Sequence, residues 1–175
     1  MANKSKVEGH PRWKLSRSAA ARVLNPLPVP HTCPYCQSEV EAVPNEEIYG
    51  KPFGDWPFAY LCQKEACRAY VGMHPRTKIP LGTLANAITR QARTRAKEMF
   101  NDLWGPGKMS RTEAYGWLAQ HLDITVGRCH FGWFDVKTCQ RVMKLITDEK
   151  RSRTSSPTKP PFAALRQALA DHSHA

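Results

Sequence analysis

The apolar positions of this chain fall into three regimes: scattered at the start, alternating in the middle, and helically spaced in the second half. Between residues 37 and 61 the signals are those of strands. Val40 and Val43 come first, then Ile48 and Tyr49, then Trp56, Phe58 and Tyr60 in strict alternation, with Gly50, Gly54 and prolines as breaks. Further on, Leu84, Ile88, Ala92, Ala96, Met99 and Leu103 lie close to one helical face, which predicts a helix of about five turns with Thr83 as N-cap. It should stop at Gly105-Pro-Gly107. Ser110-Arg-Thr-Glu113 has the form of a capping box and predicts a second helix with Ala114, Trp117, Leu118 and Leu122 inward. A third should follow Asp135, burying Val136, Cys139, Val142, Met143 and Ile146.

The two ends show no such order. Residues 1–32 read as a mostly flexible arm: Pro26, Pro28 and Pro30 alternate toward an extended segment, and Ser16 to Leu24 has the makings of a short basic helix with Arg17 and Arg22 exposed. Residues 150–161 are a Ser/Thr/Pro/basic stretch that predicts a mobile linker. After it, Phe162, Leu165 and Leu169 recur at the spacing of a short helix, too short to be stable alone. The chain thus divides into a basic, proline-containing arm (1–32), a small β module (33–80), a three-helix region (81–149) and a basic linker with a short helix (150–175). The predicted fold class is α+β, with flexible basic ends.

Charge sharpens this division. The formal net charge of the 175-residue chain is +11. Residues 1–32 hold six basic and one acidic side chain, and residues 150–175 hold five and one, so most of the surplus sits at the ends. Such ends attract polyanions without needing a shaped site. No run of residues approaches the ~18 apolar positions of a membrane helix, and the N-terminal stretch lacks the apolar core of a secretory signal. The expected location is therefore the cytoplasm, where thiols stay reduced and clustered cysteines point to metal.

Cys33-Pro-Tyr-Cys36 and Cys62-Gln-Lys-Glu-Ala-Cys67 supply such a cluster, two pairs separated by twenty-five residues. Zinc takes four tetrahedral ligands, and thiolates two to four residues apart reach one ion from a tight turn. Cys33, Cys36, Cys62 and Cys67 are thus the predicted ligands of one structural zinc ion, which makes residues 33–80 a zinc-ribbon-like module. A four-thiolate site leaves no open position for water or substrate, which argues against zinc catalysis. His31 and His74 are expected to be loop histidines rather than ligands. Cys139 falls on an apolar helix face and reads as a buried thiol; Cys129 has no close partner, so no second metal is expected.

No motif for phosphate cradling or nucleophilic catalysis is present, and an enzyme is not expected. The candidates for binding are basic. Arg90, Arg93 and Lys97 recur at three- and four-residue spacing on the first long helix and form the best stripe for nucleic acid. Arg68, Arg76 and Lys78 sit beside the ribbon aromatics Tyr35, Tyr49, Phe53, Trp56, Phe58, Tyr60 and Tyr70. Those rings either stack on unpaired bases or form the ribbon's core, and for most of them core is the expected role.

Several short runs taken together resemble a family. Cys33-Pro-Tyr-Cys36, Glu47-Ile-Tyr-Gly-Lys, Gly54-Asp-Trp-Pro, Ala69-Tyr-Val-Gly-Met-His-Pro and Ile79-Pro-Leu-Gly-Thr-Leu-Ala, followed by Ser110-Arg-Thr-Glu-Ala-Tyr-Gly-Trp-Leu-Ala and Phe134-Asp-Val-Lys-Thr-Cys-Gln-Arg-Val, are similar to phage and prophage proteins known as a zinc-finger-containing domain. The resemblance covers about residues 25–148 and implies a phage or prophage origin, a zinc site at the four cysteines and no established activity. The Cys62–Cys67 pair is more widely spaced than the family pattern. The function expected from all this is a phage-encoded accessory protein in the bacterial host cytoplasm, binding nucleic acid through its basic ends and helix face. The alternative is an effector that docks on a host machine such as RNA polymerase or the ribosome. Neither a membrane nor a small-molecule substrate is expected.

Overall fold

In the computed structural model, which describes residues 6–155, three strands and a cysteine cluster precede a set of packed helices. The fold is α+β, as the sequence predicts. Strands β1 (Val40–Pro44), β2 (Phe58–Cys62) and β3 (Tyr70–Gly72) form an antiparallel sheet in the order β1-β2-β3. Val40 faces Cys62, Ala42 faces Tyr60, and Ala59 faces Gly72. The alternation of Trp56, Phe58 and Tyr60 turns all three into one core with Val40, Cys62 and Val71, so these rings are core. Ala59 and Leu61 point the other way and are buried too, because β2 is the central strand. Tyr35, Tyr49 and Phe53 stay exposed.

Ile48 and Tyr49, expected in a strand, instead end a single helical turn, α2 (Glu46–Tyr49). Glu46 and Glu47 suit its positive N-terminal end, and Gly50 closes it at φ 74°, a left-handed conformation that favours glycine. Asn45 pins the following loop, donating from Nδ2 to the Phe53 carbonyl (2.8 Å) and accepting from the Phe53 amide (3.0 Å).

The mostly flexible arm predicted over 1–32 is corrected for residues 6–32, which close the ribbon's apolar face. Val7 is completely buried in the ribbon core. His10 meets Phe58 edge-on at 5.0 Å, and Trp13 stacks on Trp56 at 5.2 Å while meeting Phe58 edge-on at 4.7 Å. Lys6 pairs with Glu41 (3.2 Å), the Ser16 amide donates to Arg76 O (2.8 Å), and the Val40 amide donates to His31 O (3.0 Å). A three-stranded sheet with one uncovered apolar face needs such a lid. The basic helix between Ser16 and Leu24 exists but is short: α1 (Arg17–Ala21), capped by the Ser16 hydroxyl, with Arg17 and Arg22 exposed as expected.

The three predicted helices are present as α3 (Ala87–Asn101), α4 (Arg111–Leu122) and α5 (Val136–Ser155). The N-cap of α3 is Asn86, whose Oδ1 accepts from the Thr89 amide (2.9 Å), and not Thr83. The shift arises because Leu84 and Ala85 still belong to the ribbon: Leu84 is in its core, and Ala85 exchanges both backbone hydrogen bonds with Tyr70 (3.0 and 3.1 Å). Ile88, predicted inward, is consequently 65% exposed. The capping box of α4 is complete, with Glu113 N donating to Ser110 Oγ and Ser110 N to Glu113 Oε2. Ala114, Trp117, Leu118 and Leu122 are buried, as are Cys139, Val142 and Ile146 of α5. These residues share one core with Ala96, Phe100, Leu103 and Phe131.

The linker predicted from residue 150 is corrected over 150–155, where α5 continues. Lys150 pairs with Asp102 at 2.9 Å and ties this last part to the end of α3. A polar, basic stretch without glycine is fully compatible with a solvent-facing helix. The linker beyond 155 and the expected helix over 162–170 lie outside the described residues. Ribbon and helices meet backbone to backbone at Gly82 and Gly132: a Cβ on Gly82 would lie 2.3 Å from Gly132 O, and the Thr83 amide donates to that oxygen at 2.9 Å.

Candidate metal centre

Each cysteine pair is held by a tight backbone turn. In the first, the Cys33 amide donates to Ser38 O and the Gln37 amide to Cys33 O, both at 2.9 Å. In the second, the Cys62 amide donates to Ala69 O (2.8 Å), and the amides of Cys67 and Arg68 both donate to Lys64 O. Gln37 and Arg68, each directly after the last cysteine of its pair, adopt positive φ (61° and 44°). The two turns are therefore alike, although glycine is the residue that relaxes such a conformation. The wider spacing of Cys62 and Cys67 has a structural reason: Cys62 is the last residue of β2 and Gln63 still pairs with Glu39 O, so the turn proper starts at Lys64.

The result is a compact group. The four sulfurs lie within 4.8 Å of one another, with Cys33 and Cys67 at 3.7 Å and Cys36 and Cys62 at 3.4 Å. Four thiolates at the usual Zn–S distance of about 2.3 Å stand about 3.8 Å apart in a tetrahedron, so the site fits one zinc ion. Hydrogen bonds from the side chain and backbone of Ser38 lower the Cys36 thiol to about 6, which makes it a ready thiolate at neutral pH. Burial pushes Cys62 up to about 12 and also raises Cys67, so holding all four as thiolates requires a bound cation. His31 and His74 lie outside the group, and Cys129 and Cys139 are buried in the helical core, where burial raises both thiols.

Tyr35, between Cys33 and Cys36, links this centre to the helices. Its hydroxyl donates to Leu84 O (3.1 Å) and bonds Thr89 Oγ1 (2.9 Å) at the first turn of α3. Nothing in the sequence marks this contact, which spans about fifty residues.

The basic candidates are placed unequally. Arg90, Arg93 and Lys97 do not form the open outer stripe of α3 that their spacing predicts, because all three are half-buried and engaged. Arg90 stacks its guanidinium over Tyr70 (4.1 Å) and donates to Ala85 O (2.7 Å). Arg93 donates to Phe134 O (2.8 Å), Thr83 O (3.0 Å) and Thr83 Oγ1 (2.6 Å), which ties α3 to the chain on either side of the Gly82–Gly132 contact. Lys97 donates to Tyr115 Oη at 2.7 Å and lies 4.9 Å from the Phe131 ring centre. The exposed side of α3 carries Gln91, Thr94, Arg95 and Glu98 instead. Arg68 and Lys78 are exposed but occupied, Arg68 with Glu47 O and Lys78 with Glu8 at 3.7 Å.

Arg76 is different. It is exposed, and it shares an open depression with Arg12 and Lys14 of the arm, together with Pro11, Asp55 and Trp56. The arm residues escaped the sequence reading because their meeting with Arg76 depends on how Trp13 docks. The alternation of basic residues around Trp13 in Arg12-Trp-Lys14 was the available signal.

No helix among the described residues is long and apolar enough to cross a membrane. The model of a protein family described as a zinc-finger-containing domain matches residues 29–149. No curated protein and no solved structure matches the chain.

Proposed function

Because the chain belongs to this family of zinc-finger-containing domains, we propose that it is a zinc-stabilised accessory protein that binds nucleic acid through phosphate contacts. The zinc is structural in this reading, since four thiolates close the coordination sphere. The observation that supports it most is the docking of the arm. Arg12 and Lys14 are exposed on either side of Trp13, which packs against the ribbon core, so their charges are carried on a folded surface beside Arg76, and Arg17 and Arg22 are exposed further along the arm. The single carboxylate of residues 6–32, Glu8, is taken up by Lys78. Placed charge of one sign both attracts a polyanion and sets its register. The phage or prophage origin rests on the sequence resemblance over residues 25–148, and a role in the bacterial host cytoplasm goes with it.

Fluorescence anisotropy on short single- and double-stranded oligonucleotides at two salt concentrations tests this reading. Binding that weakens steeply with salt, as counterion release requires, supports it; no binding to any oligonucleotide at low salt refutes it. A second reading, docking on a host protein assembly such as RNA polymerase or the ribosome, draws on a different surface. Tyr35 and Ile88 are exposed side by side with Ala66 and Ala87 in a depression next to Cys36 and Cys67. Binding through that surface would be nearly insensitive to salt.

A further inference from the structure

We infer that Arg12, Lys14 and Arg76 form a binding site for one phosphate group, with the Trp56 ring in its wall. The inference rests on the nucleic-acid reading for the source of the phosphate, but the chemistry of the site stands by itself. Three segments converge on one depression: the arm at Arg12 and Lys14, the turn before β2 at Asp55 and Trp56, and the turn after β3 at Arg76. Six other cations, Lys6, Arg68, Lys78, Arg90, Arg93 and Lys97, are each engaged by a carboxylate, carbonyl or hydroxyl. The side chains of Arg12, Lys14 and Arg76 have no hydrogen bond or ion pair among the described residues, although Asp55 shares their depression. Three cations and one carboxylate in the same depression leave a net positive charge that attracts an anion.

Two further features belong to this depression. Arg76 sits at φ 61°, a left-handed conformation that glycine or asparagine would adopt with less strain, so its side chain is present at a conformational cost. Its carbonyl also anchors the arm by accepting from the Ser16 amide, which brings the two halves of the site together. Trp56 is 91% buried, and its Nε1 is buried without a hydrogen-bond acceptor. Two guanidinium groups and an ammonium match the oxygens of a phosphate, and the Trp56 ring beside them is placed to report on it.

The Trp56 indole proton makes the site directly observable. Proton–nitrogen spectra of the full-length, zinc-loaded protein resolve its five tryptophan indoles, and Trp56→Phe assigns the one that matters. Titration with inorganic phosphate, and separately with a short oligothymidylate lacking terminal phosphates, each against sodium chloride at matched ionic strength, should shift that signal in a saturable way. Arg76→Asn, chosen because asparagine tolerates the left-handed backbone, and Lys14→Gln should each weaken the response about tenfold; zinc content and thermal midpoint verify that both variants are folded. If phosphate shifts the signal and the oligonucleotide does not bind, the site stands and the nucleic-acid reading falls. If the oligonucleotide binds wild type and Arg76→Asn alike without moving Trp56, the site is overturned and the nucleic-acid reading survives. If chloride alone reproduces the shift, or neither ligand moves it, the site is overturned.

Discussion

The ribbon and the helical region each have a core, but the two are assembled by opposite means. The helical core draws on residues that repeat along α3, α4 and α5, each element offering one apolar face to its neighbours. The ribbon core is collected one or two residues at a time from distant places: Val7 from the arm, Cys33 from a turn, Phe58 and Tyr60 from β2, Val71 from β3 and Leu84 from the segment before α3. Its strands are three to five residues long, too short to fold without outside help. The ribbon therefore depends on two staples, the four-cysteine centre and the docked arm, whereas the helical region depends on its own periodicity.

This contrast is most severely tested by removing the metal. Chelation, or Cys67→Ser, opens a closed four-ligand site whose zinc contributes ~10–16 kcal/mol of apparent binding free energy in small zinc modules. The ribbon should unfold while α4 and α5 keep their helical signal, and amide exchange should divide along that line. Cys139→Ser should retain one zinc per chain by elemental analysis. Loss of zinc in that variant, or two zincs in the wild type, would contradict a single site at Cys33, Cys36, Cys62 and Cys67.

The arm is the second staple. Trp13→Ala removes a ring stacked on Trp56 and should destabilise the ribbon by about 3 kcal/mol in chemical denaturation, with Val7→Ala close behind. A change near zero would mean that the arm merely lies on the surface. At the junction between the two regions, Gly82→Ala should cost about 2 kcal/mol, because its Cβ meets backbone rather than a movable side chain. The same change at Gly116, where an added Cβ meets nothing within 4 Å, should be neutral or slightly stabilising and serves as the control.

The smallest effect belongs to the far end of the helical region. The Lys150 ammonium beside Asp102 holds that carboxyl below its ordinary value. A depressed carboxylate contributes stability above its unfolded pKa and loses it as pH falls through the folded value. The small advantage of wild type over Asp102→Asn should therefore be present at neutral pH and vanish in acid below the ordinary carboxylate range, as read from thermal midpoints across pH. Amide exchange over 150–155 should quicken in the variant, while the ribbon is unaffected.

What could be read from the sequence alone was whatever depends on residues close together along the chain. The four zinc ligands were legible because a thiolate pair needs a short turn, the start of α4 because a capping box closes over four residues, and the inner face of α5 because its helical period repeats. The tertiary structure alone decided where single residues from remote segments end up. Val7 and Trp13 became core, Leu84 and Ala85 joined the ribbon and moved the N-cap to Asn86, and Arg90, Arg93 and Lys97 turned inward onto rings and carbonyls while Arg12, Lys14 and Arg76 were left open. The physical reason is that a periodic face or a turn repeats its signal within a few residues. A guanidinium that stacks on Tyr70 and one that has no partner are spelled identically, and only the packing around each tells them apart.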